Sequence, residues 1–259
     1  MSFHVLPLLL LLHLVARLPA STPAPAVVTH LPGFDGPLPF HLETGYVGVE
    51  EETGTELFYY FVESERSPGT DPVILWLTGG PRCSGFCGMV FQVGPINFVV
   101  APYNGSLPQL VYNPYSWSKI ASIIFLDTPV GAGFSYAHDP KGYDVGDISS
   151  SWQVVTFLDK WFSDHPRYAS NPFYIGGTSY AGKVVPLIAQ YISQETDPTW
   201  CKGGAGHTLR NWPNPQRIYI RKMKKRPSRP VQLALHTRNT PGQSICIYTI
   251  IQCTNNFEC

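Results

Sequence analysis

The chain has 259 residues, 44% hydrophobic and 13% aromatic, with 18 basic and 18 acidic side chains and no formal net charge. That composition excludes a disordered polyelectrolyte and a strongly basic nucleic-acid binder, and it suffices for one α/β core of ordinary size. The charge balance hides a split. Up to Asp197 there are 8 Lys and Arg against 17 Asp and Glu, and beyond it 10 against 1. Two segments so different in sign predict a boundary near Asp197.

The N-terminus carries an apolar run at residues 5–15, with small residues at Ala20 and at Ala24-Pro25-Ala26. A run of that length is too short to span a bilayer and reads as the core of a secretory signal, which predicts a cleaved segment within residues 1–26. After a Pro/Gly-rich entry, residues 45–49 and 56–62 alternate β-branched and aromatic side chains around Glu51-Glu52-Thr53-Gly54, the pattern of a hairpin. The sequon Asn104-Gly105-Ser106 lies among turn residues and is a candidate glycan site.

Three short runs, at residues 73–77, 121–126 and 173–175, are continuously apolar, as strands buried on both faces of a parallel sheet require. Between the last two, Trp152, Val155, Leu158 and Phe162 recur at helical spacing after Asp147, a suitable N-cap, and Pro166 follows. Strand, helix, strand of this kind predicts a right-handed parallel crossover. A second helix is expected over residues 180–194, kinked by Pro186.

Beyond Asp197 the periodicity fades into a Gly-, Pro- and Lys/Arg-rich segment, with one possible short strand at residues 244–252. The cluster Arg221-Lys222-Met223-Lys224-Lys225-Arg226 reads as a solvated tail and not as a nucleic-acid site, given the secretory signal. Six cysteines, at 83, 87, 201, 246, 253 and 259, allow fifteen disulfide pairings that the sequence does not choose between. Cys83-x3-Cys87 lacks a second Cys/His pair at zinc spacing, so no metal is expected.

The chemistry concentrates at strand ends. Phe173-Tyr174-Ile175-Gly176-Gly177-Thr178-Ser179-Tyr180-Ala181 runs from a buried strand through Gly-x-Ser-x-small into a helix. That is the signature of a nucleophile elbow, in which a strained turn lifts the Ser179 hydroxyl above the sheet. Consecutive glycines, Gly79 and Gly80, end the first apolar run and leave backbone N–H groups approachable, so the N–H of Gly80 and of Tyr180 are the candidate oxyanion hole. A third motif, Asp127-Thr128-Pro129-Val130-Gly131-Ala132-Gly133-Phe134-Ser135-Tyr136, follows the second run at the sheet edge where ligand clefts open.

In order and spacing these motifs resemble those of the serine carboxypeptidase-like family, W-L-N/T-G-G-P-G-C-S, D-x-P-x-G-x-G-F-S-Y and G-E/D-S-Y-A/S-G, over residues 31–195. The resemblance implies an α/β-hydrolase fold, a secretory signal and a Ser-Asp-His triad acting through an acyl-enzyme on Ser179. It also implies a peptide or acyl-ester substrate, no cofactor, no nucleic-acid partner, and no membrane anchor after signal cleavage. Extracellular or vacuolar placement follows from it, and the family includes carboxypeptidases and plant acyltransferases that use glucose esters.

Four positions depart from the pattern. Thr78 and Thr178 stand where the peptidases carry an Asn and a Glu that hold the substrate carboxylate, so Thr78, Gly79 and Thr178 are candidate substrate-binding residues, with Thr78 matching the acyltransferase branch. Ala181 replaces a Gly of the general elbow pattern. Arg82 replaces a family Gly, and a positive φ there would cost about 1–2 kcal/mol. In this fold the base and its acid follow the nucleophile. The residues after Ser179 offer only His207, His236, Glu195, Asp197 and Glu258, while His138 and His165 read as surface-loop residues. The expected organisation is thus a signal (1–26), an incomplete α/β-hydrolase domain (31–195) lacking its C-terminal strands, and a poorly ordered basic tail (196–259), truncated, alternatively spliced or misassembled. The expected consequences are an unpaired sheet edge, uncovered apolar helix faces and little catalysis, whether as a crippled enzyme or as a non-catalytic secreted fragment.

Overall fold

The computed structural model describes residues 24–102, 104–195 and 248–251. In chain order it comprises β1 (Ala26–Val28), β2 (Leu42–Glu50), β3 (Thr55–Val62), β4 (Val73–Leu77), α1 (Gly85–Phe91), β5 (Ile96–Phe98) and β6 (Leu110–Tyr112). There follow β7 (Ser122–Leu126), β8 (Tyr136–Ala137), α2 (Asp147–Asp164), β9 (Phe173–Thr178), α3 (Ala181–Glu195) and β10 (Tyr248–Ile251). The main sheet runs β1-β2-β3-β7-β4-β9-β10, with β8 also on β3. Pairings up to β3–β7 are antiparallel, and those from β7 through β4 and β9 to β10 are parallel.

The continuous apolar runs are explained by two cores. Leu75 and Leu77 of β4 and Ile124 and Leu126 of β7 face one core, which Phe157 and Trp161 of α2 and Val185 and Ile188 of α3 complete. Trp76, Ile123 and Phe125, one residue out of phase, face the other with Met89 and Val90 of α1. Because side chains alternate along a strand, a strand covered on both faces must be apolar at every position. The hairpin, three buried runs and two long helices thus stand where the sequence predicts them, within a few residues.

Several expectations change. Gly146, not Asp147, caps α2, with its N–H bonded to Ser149 Oγ at 3.0 Å, and Asp147 becomes the first helical residue. Trp152 does not join the buried stripe of α2 but stays 40% exposed and stacks on Tyr191 of α3, centroids 4.2 Å apart. Nor is the edge at β9 left unpaired. Tyr248–Ile251, from the tail, lies parallel to it with Tyr248 opposite Ile175 and Ile251 opposite Thr178. A continuous apolar run suits that inner position. The remaining tail, including the basic cluster and Cys201, Cys246, Cys253 and Cys259, lies outside the described residues, as do residues 1–23, where the sequence predicts a signal. Among the described residues no helix is long and apolar enough to cross a membrane.

One buried carboxylate ties the strand-end loops together. Asp127, just past β7, is fully buried. Its Oδ1 accepts from Ser84 Oγ and Gly85 N–H, both at 2.7 Å, and its Oδ2 from Phe134 N–H at 2.8 Å. The loop after β4 and the loop after β7 therefore share one acceptor. Burial outweighs these hydrogen bonds and holds the Asp127 carboxyl above the usual carboxylate range, so its contribution to stability is largest in acid and declines as pH rises through the raised value. Replacing Asp127 with Ala leaves the buried Gly85 N–H unpaired at about 1–3 kcal/mol and two part-buried donors, Ser84 Oγ and Phe134 N–H, without their acceptor, and a loss of about 2 kcal/mol or more is expected in urea unfolding of the variant.

Candidate active site

Ser179 occupies the junction between β9 and α3 and is exposed. Its φ is +54°, and among the described residues it is the one non-glycine residue with positive φ. An L-residue in that region costs about 1–2 kcal/mol, so the neighbours must hold it there. The parallel pairing of β9 with β4 fixes the approach, with Leu77 opposite Gly177. On the far side the carbonyls of Ser179 and Tyr180 accept from Gly182 and Lys183 N–H at 3.0 and 2.9 Å, starting α3. The chain thus reverses within two residues between a fixed strand and a fixed helix.

Small residues are required where the turn is tightest. A Cβ on Gly177 would come within 2.3 Å of the Leu77 carbonyl oxygen and 2.7 Å of the Ala181 methyl. A Cβ on Gly79 would lie 2.5 Å from Ser179 Cβ and 3.2 Å from its Oγ. The bare backbone of the Gly79-Gly80 turn therefore sits directly against the serine. Arg82 does not carry the positive φ that its replacement of Gly suggests, since Gly80 takes it (φ +51°). The Arg82 guanidinium instead donates from Nη1 to the Val130 carbonyl at 2.7 Å, adding a second tie between the two loops.

Tyr180 follows the serine, and its phenol donates to both oxygens of Asp147, at 2.8 and 3.0 Å, which raises its pKa. Releasing Asp147 from the cap position makes this contact possible. A cleft of about 260 Å³ adjoins the elbow, walled by Tyr180 and Ala181, by Thr128 and Pro129, and by Arg82 and Asp147.

The two threonines are not equivalent. Thr178 is buried and its Oγ1 accepts from Gln92 Nε2 at 3.3 Å, while Gln92 Oε1 accepts from Trp76 Nε1 at 2.8 Å. Thr78 Oγ1 is buried with no hydrogen-bond partner among the described residues. Gln92 was not singled out from sequence. It lies just past α1, and only the packing of α1 against β4 and β7 brings it to the end of β9.

Of the histidines named above, His138 is exposed and packs edge-on against Tyr136. His165 is no surface-loop residue: it ends α2, its side chain is 13% exposed, and its Nε2 lies 2.9 Å from Glu43 Oε1. His207 and His236 lie outside the described residues. Asn104 is exposed, with its Oδ1 accepting from Ser106 N–H at 3.0 Å.

The strain at position 179 is measurable. Ser179→Gly should unfold at higher urea than Ser179→Ala, by about 1 kcal/mol, because glycine adopts the left-handed region without a Cβ clash. Equal midpoints for the two variants would show that the turn stores no strain.

Comparison with known proteins agrees with this geometry. A family model described as serine carboxypeptidase matches residues 32–200. Serine carboxypeptidase-like 16 of Arabidopsis thaliana is 54% identical over 188 residues, covering 73% of this chain and 43% of that protein. Serine carboxypeptidase-like 14 of the same plant is 52% identical with the same coverage. The chain therefore spans less than half the length of these relatives. The crystal structure of Kex1(delta)p, a prohormone-processing carboxypeptidase from Saccharomyces cerevisiae, superposes with a TM-score of 0.50 at 24% identity, over 60% of this chain and 34% of that one, a likeness of fold. With the sheet order, the strained serine and the matched motifs in agreement, the chain belongs to the serine carboxypeptidase family and carries part of its α/β-hydrolase fold.

Proposed function

We propose that the domain is the nucleophile-bearing part of an acyl-transfer site. Ser179 Oγ attacks the carbonyl carbon of a peptide or acyl ester, the backbone N–H groups of Gly80 and Tyr180 receive the developing oxyanion, and collapse expels the amine or alcohol to leave an ester on Ser179. The observation that carries this reading is the left-handed Ser179 at a strand–helix junction, pressed against the Gly79 backbone. Strain maintained at an exposed hydroxyl has no packing rationale, whereas a nucleophile that must protrude needs it.

The groups beside the serine favour an ester over a free C-terminal carboxylate as the preferred substrate. Thr78, Thr178, Gln92 and Trp76 form a neutral set. None can share a proton with a substrate carboxylate as a glutamic acid would.

The proton of Ser179 requires a base. Among the described histidines, His30 contacts Thr29, His138 packs on Tyr136, and His165 is engaged by Glu43. His41 lies near Glu43 and Arg167. This favours a second reading, in which the described domain by itself is a non-catalytic fragment of enzymatic lineage. Triad members act as a unit, so a serine without its base loses about 10⁴-fold or more in rate. A fluorophosphonate probe separates the two readings. The chain itself should label slowly, by at least that factor, against a chimera that continues the domain with the remaining part of serine carboxypeptidase-like 16. Ser179→Ala should abolish labelling of the chimera. Labelling that survives Ser179→Ala would remove the nucleophile assignment.

Entry into the secretory pathway and glycosylation at Asn104 complete the proposal. The exposed Asx turn at Asn104 leaves its amide nitrogen accessible. On expression in a eukaryotic secretory host, Asn104→Gln should migrate as the enzymatically deglycosylated wild type does. Unchanged mobility would exclude the glycan.

A further inference from the structure

The most completely enclosed ion pair among the described residues lies away from the elbow, at the C-terminal end of α2, and the acyl-transfer reading makes no use of it. His165 Nε2 faces Glu43 Oε1 at 2.9 Å, and His165 Nδ1 faces the Trp161 carbonyl at 2.8 Å. A carbonyl and a carboxylate oxygen both accept, so with Glu43 ionised the geometry sets both ring nitrogens to donate, as an imidazolium does. The Trp161 indole stacks on it, with centroids 4.1 Å apart and planes 11° from parallel. The same Trp161 carbonyl accepts the His165 backbone N–H at 2.9 Å, which places the cation at the negative end of an 18-residue helix.

The pair joins three elements. Glu43 stands on β2 and also accepts from the Tyr59 phenol of β3 at 2.7 Å, while His165 closes α2. Glu43 and His165 side chains are 15% and 13% exposed. We propose that Glu43 and His165 form a pH-sensitive clasp that fastens the C-terminal end of α2 to the β2–β3 hairpin while the imidazole is protonated and loosens it when that proton is lost. A neutral imidazole keeps one N–H. Either the Glu43 carboxylate or the helix carbonyl then loses its donor inside a largely enclosed site, where an unmatched acceptor is costly.

The other charged and titratable groups facing the pair are His41 just before β2, Tyr59 on β3, Glu63 just past it, Asp164 on α2, and Arg167 and Tyr168 in the turn after α2. Arg167 and the Tyr168 phenol both engage Glu63, the latter at 2.6 Å. Burial works against the charge on His165, but the bonds to Glu43 and the Trp161 carbonyl, with Asp164 nearby, more than offset it and raise its pKa. Burial likewise opposes the Glu43 charge, and His165 and Tyr59 more than offset it and lower its pKa. The signs define a window. The histidine's contribution is full below the ordinary value of about 6.5 and is lost as pH rises through the raised one, and the glutamate's is lost as pH falls through its lowered one. The clasp is thus closed in a mildly acidic medium.

The test uses the full chain. Urea midpoints read by tryptophan fluorescence between about pH 5 and about pH 8.5 should fall with rising pH in the wild type. The decline should be shallower in His165→Asn, where only the part from Asp127 remains, and displaced to lower pH in Glu43→Gln. His41 remains in every variant, but its pKa responds to Glu43, so His165→Asn, which keeps Glu43, is the deciding variant. Side-chain NMR of the wild type should place the His165 titration above the ordinary histidine value. A midpoint profile unchanged by His165→Asn, or a His165 that titrates at or below the ordinary value, overturns the clasp. Should a variant fail to fold, the wild-type titration alone decides.

Discussion

Ser179 holds a backbone conformation that its own chemistry disfavours, and much of the surrounding fold is arranged to keep it there. The φ of +54° is clamped on one side by β9, locked in parallel register to β4, and on the other by the first turn of α3. Neither restraint is local: β9 is rigid because strands flank it on both sides, and α3 is fixed because Val185 and Ile188 lie in the core. A strained turn persists only when its surroundings over-determine it. The apolar strands and helix faces therefore act as the foundation of one exposed hydroxyl.

The loops above the sheet need a different kind of support, because they cannot be apolar and must still be positioned. Asp127 supplies it by accepting three donors from two loops, and Arg82 adds a contact from the first loop to the second. On the other side, Asp147 holds the Tyr180 phenol, so the residue after the serine is anchored through its side chain. Charged and polar side chains thus set the loop geometry, and the hydrophobic layers set the sheet. Asp127, through burial, and His165, through its hydrogen bonds, both have raised pKa values, though they lie in different parts of the domain.

Family relationship and individual residues separate beside Ser179. The fold and motifs place the chain among the serine carboxypeptidases, yet the residues beside the serine are a hydrogen-bonded Thr178–Gln92–Trp76 chain and a Thr78 hydroxyl with no partner among the described residues. Under the acyl-transfer reading proposed above, a neutral arrangement of this kind would bind by shape and hydrogen bonding.

The amino-acid sequence by itself determined the buried strands, the two long helices and the elbow, because each rests on a short-range regularity: continuous apolar runs, a helical repeat, or Gly-x-Ser-x-Ala between strand and helix. Gly79, Gly80, Ser179 and Tyr180 were legible for the same reason. Tertiary structure alone decided whatever depends on residues far apart in the chain. It moved the α2 cap to Gly146, carried Gln92 to Thr178, and turned His165 from an apparent loop residue into the partner of Glu43. It relieved Arg82 by giving the positive φ to Gly80, and it set Tyr248–Ile251 against β9. Periodicity reports which face of an element is buried. It carries no record of which distant side chain meets that face, because the meeting is fixed by how the layers pack.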